Sequence, residues 1–555
     1  MKRTSIFQSG LAFTFALSGL TQTQVARGDD AVFQPGNLVV SRVIYDNNAN
    51  NVMVGMTLPP NCVTSTMMCV AATTNGAYPY VWNNALVDAS FGITSKIVLD
   101  QMSPSGLVIN SLEVPNSSQN GVPPSKDQMV GSFSSKSEVA LNLSTDGQYL
   151  TFMGYLAPID ALDVSNSNTP AVVDPTNPVG GAVFRVVAQV DQKGKFRFTK
   201  TNAYSGNNGR AAILNNTNKT PILYTAGNAG NGGNPQPAGV IAGAGAQILT
   251  AETKALVAQD PGFPTPVGSF NITELGDTAD KIGKDTNFRG LTIFNNVVYL
   301  TKGSGGNGVN TVYFIDTSGA SDSNGNPPAC PYNSSTPGVG VPKPFASLPT
   351  SPIIYNANNL QTLGVYPYNM CILKGFPTAL KSKTSFPFGV WFANATTLYV
   401  ADEGNGDNTY SSAANKYTKA AAQTTAGLQK WVFNSGSWTL IYTLTMGLEL
   451  GVPYTVSGYP TGINSVNSGG TGLPWSPATD GLRNLTGQVN GDGTVTIWAI
   501  ASTVSGNGDQ GADPNKLVAI TDTLAATSPA GEQFTTIRTA NFGEVLRGVS
   551  FTPGP

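Results

Sequence analysis

Arg289-Gly-Leu-Thr-Ile-Phe, the turn Asn295-Asn296 and the run Val297-Val-Tyr-Leu-Thr form one copy of a pattern that recurs along the chain. Each copy opens on a charged or bulky residue, continues through a small or apolar residue into an alternating strand, and turns tightly into a second strand. The copies begin at Glu138, Arg210, Arg289, Phe388, Arg483 and Arg547. Repetition of this kind in an all-strand sequence is typical of a β-propeller, in which each repeat forms one blade.

Further strands extend each copy toward a four-stranded antiparallel blade. We predict third strands at Ala182–Val190, Ala238–Ala242, Thr311–Ile315, Gln429–Phe433 and Lys516–Ile520. Fourth strands are predicted at Lys195–Thr199 and Trp438–Thr443, with only weak signals in the other copies. The repeats are longer than a bare WD40 blade, and their surplus falls in polar insertions at about residues 321–344 and 444–479, which we assign to loops.

The last copy stops after one strand, at Phe551-Thr552, and therefore lacks partners downstream. Asn37-Leu-Val-Val-Ser-Arg-Val looks like its second strand, and Ser95–Gln101 and Gly106–Val114 would complete the blade. The chain is thus predicted to be all-β, a six-bladed β-propeller whose ring closes by pairing the C-terminal strand with N-terminal strands, which leaves no exposed edge. We expect residues 29–555 to form this single domain.

The N-terminus predicts export. Lys2 and Arg3 precede an apolar stretch from about Leu11 to Leu20, followed by small residues, as in a secretory signal peptide covering residues 1–28. No segment of the sequence reaches transmembrane length. We therefore expect a secreted protein, periplasmic or extracellular, and a monomer.

Four cysteines fit an oxidising compartment. We predict local disulfides, Cys62 with Cys69 and Cys330 with Cys371, while the sequence leaves the other two connectivities open. A zinc site is disfavoured, because the chain has no histidine and no Cys-x-x-Cys pair.

Composition excludes several classes of function. With 11% charged residues and a net charge of -2, the chain gives no reason to expect nucleic acid or an anionic membrane as a partner. The absence of histidine excludes Ser-His-Asp and Cys-His nucleophile systems and His-ligated haem. Any acid–base chemistry would fall to carboxylates, Lys or Tyr.

The six opening residues should meet around one mouth of the channel, because the first strand of a blade starts on the face where the second strand ends. Guanidinium groups from Arg210, Arg289, Arg483 and Arg547, beside Phe388, would then suit a carboxylate, phosphate or sulfate. Glu138 is the single acid of this ring and the candidate catalytic residue. The alternative is structural: the arginines would tie blades together through carbonyls and loop carboxylates.

Loops rich in Asn, Gly and Asp leave the second strands on the same face. Their carboxylates Asp402, Glu403, Asp407 and Asp509 make calcium a candidate cofactor, since hard cations take several oxygen ligands. Tight turns with positive φ explain the same composition without a metal.

Aromatic residues recur in the loops beside prolines, at Tyr78-Pro-Tyr-Val-Trp82, Tyr366-Pro-Tyr368, Tyr454 to Tyr459 and Trp475. Exposed aromatic side chains stack on sugars or anchor protein partners. The alternative, which we favour, is that they cover small cores of the insertions themselves.

The stretches Phe288-Arg-Gly-Leu-Thr-Ile, Tyr399-Val-Ala-Asp-Glu-Gly and Leu546-Arg-Gly-Val-Ser-Phe resemble those of secreted bacterial β-propellers, and more loosely the class of NHL-repeat and SMP-30-like proteins. This resemblance covers nearly the whole mature chain but implies only the fold. SMP-30-like proteins hydrolyse lactones at a calcium site of Glu, Asn and Asp, and that ligand set does not map onto this sequence.

Two classes of function follow. The first is a secreted binding or scaffold module whose Arg- and Asn-lined face holds a small anionic ligand, a glycan or a protein. The second is an extracellular hydrolase or lyase that uses Glu138 with the ring arginines on a lactone or anionic sugar, with or without calcium.

Overall fold

The computed structural model describes the chain in segments. These are residues 32–45, 55, 57–58, 70–71, 93–125, 127–132, 139–161, 183–201, 204, 209–217, 221–227, 245–251, 288–303, 309–315, 339–343, 347–348, 370–379, 384–465, 471–507 and 510–554. Strands dominate these segments, whose one α-helix is the short Thr418–Ala421.

Six antiparallel sheets form the blades of a β-propeller, which confirms the predicted fold class. Their strands, from the inside of the ring outward, are as follows. Blade 1 contains Glu544–Phe551, Leu38–Ile44, Thr94–Met102 and Val108–Glu113; blade 2 contains Asn142–Leu143, Tyr149–Tyr155, Arg185–Asp191 and Phe196–Thr201; blade 3 contains Gly209–Asn215, Ile222–Gly227 and Ala246–Thr250. Blade 4 contains Phe288–Phe294, Val297–Lys302, Thr311–Ile315, Met370–Leu373 and Val339–Gly340; blade 5 contains Pro387–Asn394, Thr397–Asp402, Gly427–Asn434 and Ser437–Leu444; blade 6 contains Ala478–Val489, Thr494–Val504, Lys516–Thr523 and Thr535–Thr539.

The remaining described elements are short. Gly131–Ser132 pairs with the start of Thr94–Met102, and two small hairpins join Thr57–Leu58 to Val70–Ala71 and Tyr410–Ser411 to Lys416–Tyr417. A 3-10 turn covers Gln510–Ala512.

Blade 1 closes the ring with strands from both ends of the chain. Leu38–Ile44 pairs antiparallel with Glu544–Phe551 on one side, from Leu38 opposite Phe551 to Ile44 opposite Glu544, and with Thr94–Met102 on the other. The predicted closure is therefore confirmed, including the assignment of the second, third and fourth strands of this blade.

The outer strands agree less completely with the sequence. The strand that pairs with Ile222–Gly227 is Ala246–Thr250, downstream of the predicted Ala238–Ala242, which lies outside the described residues. Within the insertion expected to be a loop, Val339–Gly340 pairs in parallel with Met370–Leu373, the fourth strand of blade 4. That fourth strand and Thr535–Thr539 of blade 6 were not predicted.

A β-bulge recurs on the innermost strand of five blades, at the residue that opens the repeat. The register passes from Gly209 to Ala211 and from Pro387 to Gly389, so that Arg210 and Phe388 have no partner position on the second strand. The same irregularity falls at Arg289, Arg483 and Arg547. A bulge bends the strand and changes the direction of the side chain at the extra residue. The opening residue of these repeats is therefore the one whose side chain leaves the alternating pattern of the strand.

Neighbouring blades meet through backbone atoms directly after these bulges. An ideal Cβ on Gly389 would lie 2.5 Å from the Arg483 carbonyl oxygen, and one on Gly548 would lie 2.7 Å from that of Val139. In blade 6 the equivalent position is Asn484, whose Oδ1 accepts a 2.7 Å hydrogen bond from the Val549 amide of blade 1. The inner strands thus pack at a distance that only glycine, or a side chain bonded across the joint, allows.

Hydroxyl groups on second strands join blades in the same way. Thr151 Oγ1 donates to the Ala212 carbonyl of blade 3 at 2.7 Å, and Ser41 Oγ donates to the Val139 carbonyl of blade 2 at 2.8 Å. Between these polar joints lie the apolar cores, the largest of which runs from blade 3 through blade 5. The repeat therefore encodes both the blades and the contacts between them.

Candidate functional site

The bulged positions bring cationic side chains together at one mouth of the channel. Phe388 of blade 5 is buried, and its ring lies between two arginines of the adjacent blades. The guanidinium carbon of Arg289 is 5.9 Å from the ring centroid, and that of Arg483 is 5.6 Å from it. Both distances fall within the range of cation–π attraction. Phe388, the one aromatic residue among the six opening residues, thus lies between two arginines and interacts with both.

Glu403 lies opposite both arginines. One carboxylate oxygen is 3.4 Å from Arg289 Nε and the other is 3.2 Å from Arg483 Nε. The side chains are only 12%, 18% and 8% exposed for Arg289, Arg483 and Glu403, so solvent screens these contacts weakly. Glu403 thereby links blades 4, 5 and 6, as the structural interpretation of the ring expected for a loop carboxylate.

Lys302 adds a further positive charge beside Arg289. It ends the second strand of blade 4, is buried, and donates from Nζ to Asn310 Oδ1 at 3.1 Å. Burial, and then repulsion by Arg289, lower the pKa of Lys302 to about 7. A cation whose charge is this costly marks a place where an anion would be stabilised.

Two buried aspartates next to Glu403 have raised pKa values. Burial raises the pKa of Asp402 to about 6, although the Phe386 and Gly404 amides donate to its carboxylate at 2.8 and 3.0 Å. Burial, and then the charges of Glu403 and Asp402, raise the pKa of Asp480 to about 7. The carboxylates therefore cancel less of the arginine charge than their number suggests.

Arg210 and Arg547 lie deeper than the other two arginines. Both are buried, and Arg547 Nη2 donates to the Tyr45 hydroxyl at 3.0 Å. Glu138, the sixth member of the predicted ring, lies outside the described residues, although the adjacent Val139 is placed against blade 1. The structure therefore locates five of the six opening residues.

Three of the four candidate calcium ligands, Asp402, Glu403 and Asp407, are described, and they form no group that would hold a metal ion. Asp402 is buried among amide donors, while the exposed Asp407 accepts from Thr409 N at 2.9 Å and from its hydroxyl at 2.6 Å in a local turn. Asp509 lies outside the described residues. Among the residues that the structure describes, no three acidic or cysteine side chains are grouped to hold a metal ion.

The structure likewise does not test the predicted cysteine pairs. Cys371 is buried in the fourth strand of blade 4, whereas Cys62, Cys69 and Cys330 lie outside the described residues. The predicted disulfides stay predictions, as does the signal peptide.

The aromatic residues of the second insertion serve the interior. Tyr459 and Trp475 are buried, and Tyr454 packs against the same cluster. Tyr459 donates to Asp513 Oδ1 at 2.6 Å, and burial raises the pKa of Asp513 to about 7. They belong to the apolar cluster that includes Val39 of blade 1 and Phe152 of blade 2, so they pack on the core of the propeller and not on a separate core of the insertion, which we had expected. The Tyr78–Trp82 and Tyr366–Tyr368 stretches lie outside the described residues.

Sequence reasoning missed Lys302 and Asp480. Lys302 directly follows the second strand Val297-Val-Tyr-Leu-Thr, and Asp480 precedes Arg483 by three residues at the start of the inner strand. Both lie at strand ends that face the predicted mouth. Their positions in the repeat could therefore have identified them as residues of the site.

Comparison with known proteins identifies no family for this chain. No family model matches the chain, and no curated protein matches it. Among solved structures, the chain is similar to "Drosophila Semaphorin 1a, extracellular domains 1-2" at 10% identity, with a TM-score of 0.26 over 90% of this chain and 88% of that chain. The resemblance to NHL-repeat and SMP-30-like proteins therefore rests on the three quoted stretches alone. Within the described segments, no helix is long and apolar enough to cross a membrane.

Proposed function

We propose that this protein is a secreted binding module that holds a small anionic ligand at the arginine-lined mouth of its channel. The observation that carries the proposal is the convergence of Arg289 and Arg483 on Phe388, with Lys302 beside Arg289. Carboxylate, phosphate and sulfate groups are the chemistry that guanidinium groups recognise by paired hydrogen bonds.

The balance of charge supports an anionic ligand. Glu403 faces two arginines, and its neighbours Asp402 and Asp480 have pKa values raised to about 6 and about 7. The mouth therefore gains positive charge as the pH falls from 8 to 6, because Asp402 and Asp480 lose negative charge and Lys302 becomes protonated. The low-dielectric walls of the channel would also concentrate the electric field of these cations at the mouth, and this would strengthen the attraction of an anion.

We favour binding over catalysis because the carboxylates described at this mouth are already engaged by other protein groups. Glu403 is engaged by two arginines, and Asp402 accepts from two backbone amides. A general acid or base must reach the reacting atom. The hydrolase or lyase hypothesis depends on Glu138 and carries no supporting observation from the described residues.

The test is titration calorimetry at low ionic strength with sulfate, phosphate, citrate and glucuronate. We expect Arg289→Gln and Arg483→Gln each to weaken binding of the anion by about tenfold, since each removes a charge-assisted contact. Arg289→Lys should restore part of the loss, because it returns the charge without the paired donors.

Arg197→Gln is the matched control. Arg197 lies on the outer strand of blade 2, where its Nη1 donates to the Tyr149 hydroxyl at 3.1 Å, so its loss should leave anion affinity unchanged. The proposal fails if none of the four anions binds, or if Arg197→Gln weakens binding as much as the two mouth variants do.

A further inference from the structure

The opposite end of the channel holds a cavity of about 570 Å³. Every blade lines it from the inner strand, through residues that follow the bulged positions along the chain, such as Asn142, Ile213, Thr292, Val390, Thr486 and Ser550. Its volume lies in the range of sites that bind small molecules, roughly 300–1,000 Å³. This cavity is distinct from the arginine-lined mouth, because each inner strand runs from one to the other.

Among the residues that the structure describes, the lining of this cavity contains no ionisable side chain, and its polar groups are mainly amides and hydroxyls. Thr292, Asn295, Asn296 and Thr486 form no side-chain hydrogen bond within the described part of the chain, and neither does the indole N–H of Trp391. Asn295 and Asn296 form the exposed two-residue turn of blade 4 with φ of 47° and 59°, so the hairpin backbone places both residues at the rim of the cavity. The cavity thus offers neutral donors and acceptors.

Trp391 supplies an aromatic wall that the fold holds in place. An ideal Cβ on Gly487 of blade 6 would lie 2.7 Å from the indole, so the ring packs directly on the backbone of the next blade. Its centroid is 6.1 Å from that of Tyr399. A half-buried, immobilised indole beside free amides and hydroxyls is the combination that suits a sugar ring, which presents C–H groups on its faces and hydroxyls at its edge.

A second cavity, of about 560 Å³, adjoins the first between blades 4 and 5. The two share Phe294 and Asn295, and the second is lined mainly by aromatic side chains, with Lys343 as the one charged residue of its described lining. The aromatic residues are Phe294, Tyr299, Phe392, Phe433 and Trp438. Phe294 and Phe392 stack with ring centroids 4.5 Å apart. The Tyr299 hydroxyl forms no hydrogen bond to any residue that the structure describes, although the residue is only 5% exposed. This aromatic cleft therefore suits a flat apolar group with a hydrogen-bonding substituent.

We propose that this end of the channel binds a neutral glycoside, with its sugar in the central cavity and an apolar aglycone in the aromatic cleft. The described lining of the central cavity is uncharged and so disfavours an anionic sugar there, which would lose hydration without gaining an opposite charge. The shared Phe294 and Asn295 allow one ligand to occupy both cavities. This site is separate from the anion site and does not depend on it.

The test is calorimetry with 4-nitrophenyl glycosides of glucose, galactose, mannose, xylose and N-acetylglucosamine, each beside its methyl glycoside. We expect at least one sugar to bind, with the nitrophenyl form about tenfold tighter than the methyl form. Trp391→Ala should weaken both forms about tenfold, and Phe433→Ala should remove only the gain from the nitrophenyl group. Trp391→Phe keeps an aromatic wall and should lose less than Trp391→Ala.

Thr292→Val and Thr536→Val form a matched pair, since each replaces a hydroxyl by a methyl group of the same shape. Thr292 lines the central cavity, whereas Thr536 is exposed on the outer strand of blade 6, so only the first should weaken binding. The proposal is overturned if no glycoside of the panel binds, if methyl and nitrophenyl forms bind equally, or if the two valine variants behave alike. Added sulfate should not displace the glycoside, and competition would mean that the sugar sits at the other mouth.

Discussion

Gly290 of blade 4 lies so close to Phe388 of blade 5 that an ideal Cβ on Gly290 would be 1.9 Å from the Phe388 carbonyl oxygen. The Gly290 amide donates to Thr301 Oγ1 at 2.8 Å, and the same hydroxyl donates to the Phe388 carbonyl. One threonine thus joins the backbones of two blades at a point where no side chain fits.

Gly290→Ala should therefore destabilise the propeller by forcing blades 4 and 5 apart. We expect a loss of about 1–3 kcal/mol in the free energy of unfolding, measured by denaturant titration, as for overpacking of a filled interior. Gly491→Ala is the control, since nothing lies within 4 Å of the added methyl group there. Equal effects of the two substitutions would contradict the proposed close packing.

Lys430 and Asp522 form a buried ion pair between blades 5 and 6, with Nζ 3.0 Å from Oδ2 and both side chains fully buried. The Tyr442 hydroxyl donates to Asp522 Oδ1 at 2.7 Å, and the Thr523 carbonyl accepts from Lys430. Asp522→Asn should cost about 3–5 kcal/mol of unfolding free energy, because it leaves a buried lysine without its counter-charge. The pair Lys430→Met with Asp522→Leu should recover much of that loss in the same measurement. If the double variant is less stable than Asp522→Asn, the cost of losing Asp522 does not come mainly from the unpaired charge of Lys430, and this explanation is wrong.

Stability should pass through a minimum near pH 7. The pKa values of Asp402, Asp480 and Asp513 are raised by burial to about 6, 7 and 7, so the folded state binds protons more tightly than the unfolded state, and stability falls as the pH rises from about 4 to 7. The pKa of Lys302 is lowered to about 7, so its contribution is lost as the pH falls toward 7 from above. Melting temperatures at pH 5, 7 and 9 test this dependence. Asp480→Asn and Asp513→Asn should flatten the acid side, and Asp492→Asn, in an exposed turn, should not.

Affinity for sulfate should rise as the pH is lowered from 8 to 6. Protonation of Asp402 and Asp480 removes negative charge from the mouth, and protonation of Lys302 adds positive charge. Sulfate keeps its charge throughout this range, so the protein alone titrates. We expect about a tenfold change in Kd by calorimetry, since one pKa unit corresponds to about 1.4 kcal/mol. Asp480→Asn should raise affinity at pH 8 and reduce the pH dependence, and an unchanged affinity across the range would count against the anion site.

Strand patterns predicted the blades well where turns are short. The hairpin through Asn295-Asn296 and the closure by Leu38–Ile44 follow from alternation and turn residues that are local in sequence. Met370–Leu373 was missed because a long insertion separates it from Thr311–Ile315, its neighbour in the sheet, and nothing local specifies such pairing. The third strand of blade 3 was misplaced for a related reason, since the Gly- and Ala-rich segment before Ala246–Thr250 has little alternation.

The repeat predicted which residues would meet at one mouth but not how they would interact. The bulges that redirect Arg289 and Arg483 are properties of register, which side-chain type does not reveal. Glu403 was expected to contribute to a calcium site or to tie the arginines, and only the fold shows it facing Arg289 and Arg483. The uncharged cavity at the other end was invisible in the sequence, because its polar groups are ordinary Asn and Thr residues at the ends of inner strands.

Pairing of Leu38–Ile44 with Glu544–Phe551 also sets the order in which the molecule is completed. One edge of Leu38–Ile44 stays unpaired until the ribosome has produced Glu544–Phe551, far downstream in the chain. During that interval its amide and carbonyl groups are open to strands of other molecules. Glu544–Phe551 is therefore the strand that closes the ring. Until it has paired, the nascent chain is more exposed to aggregation than the folded protein is.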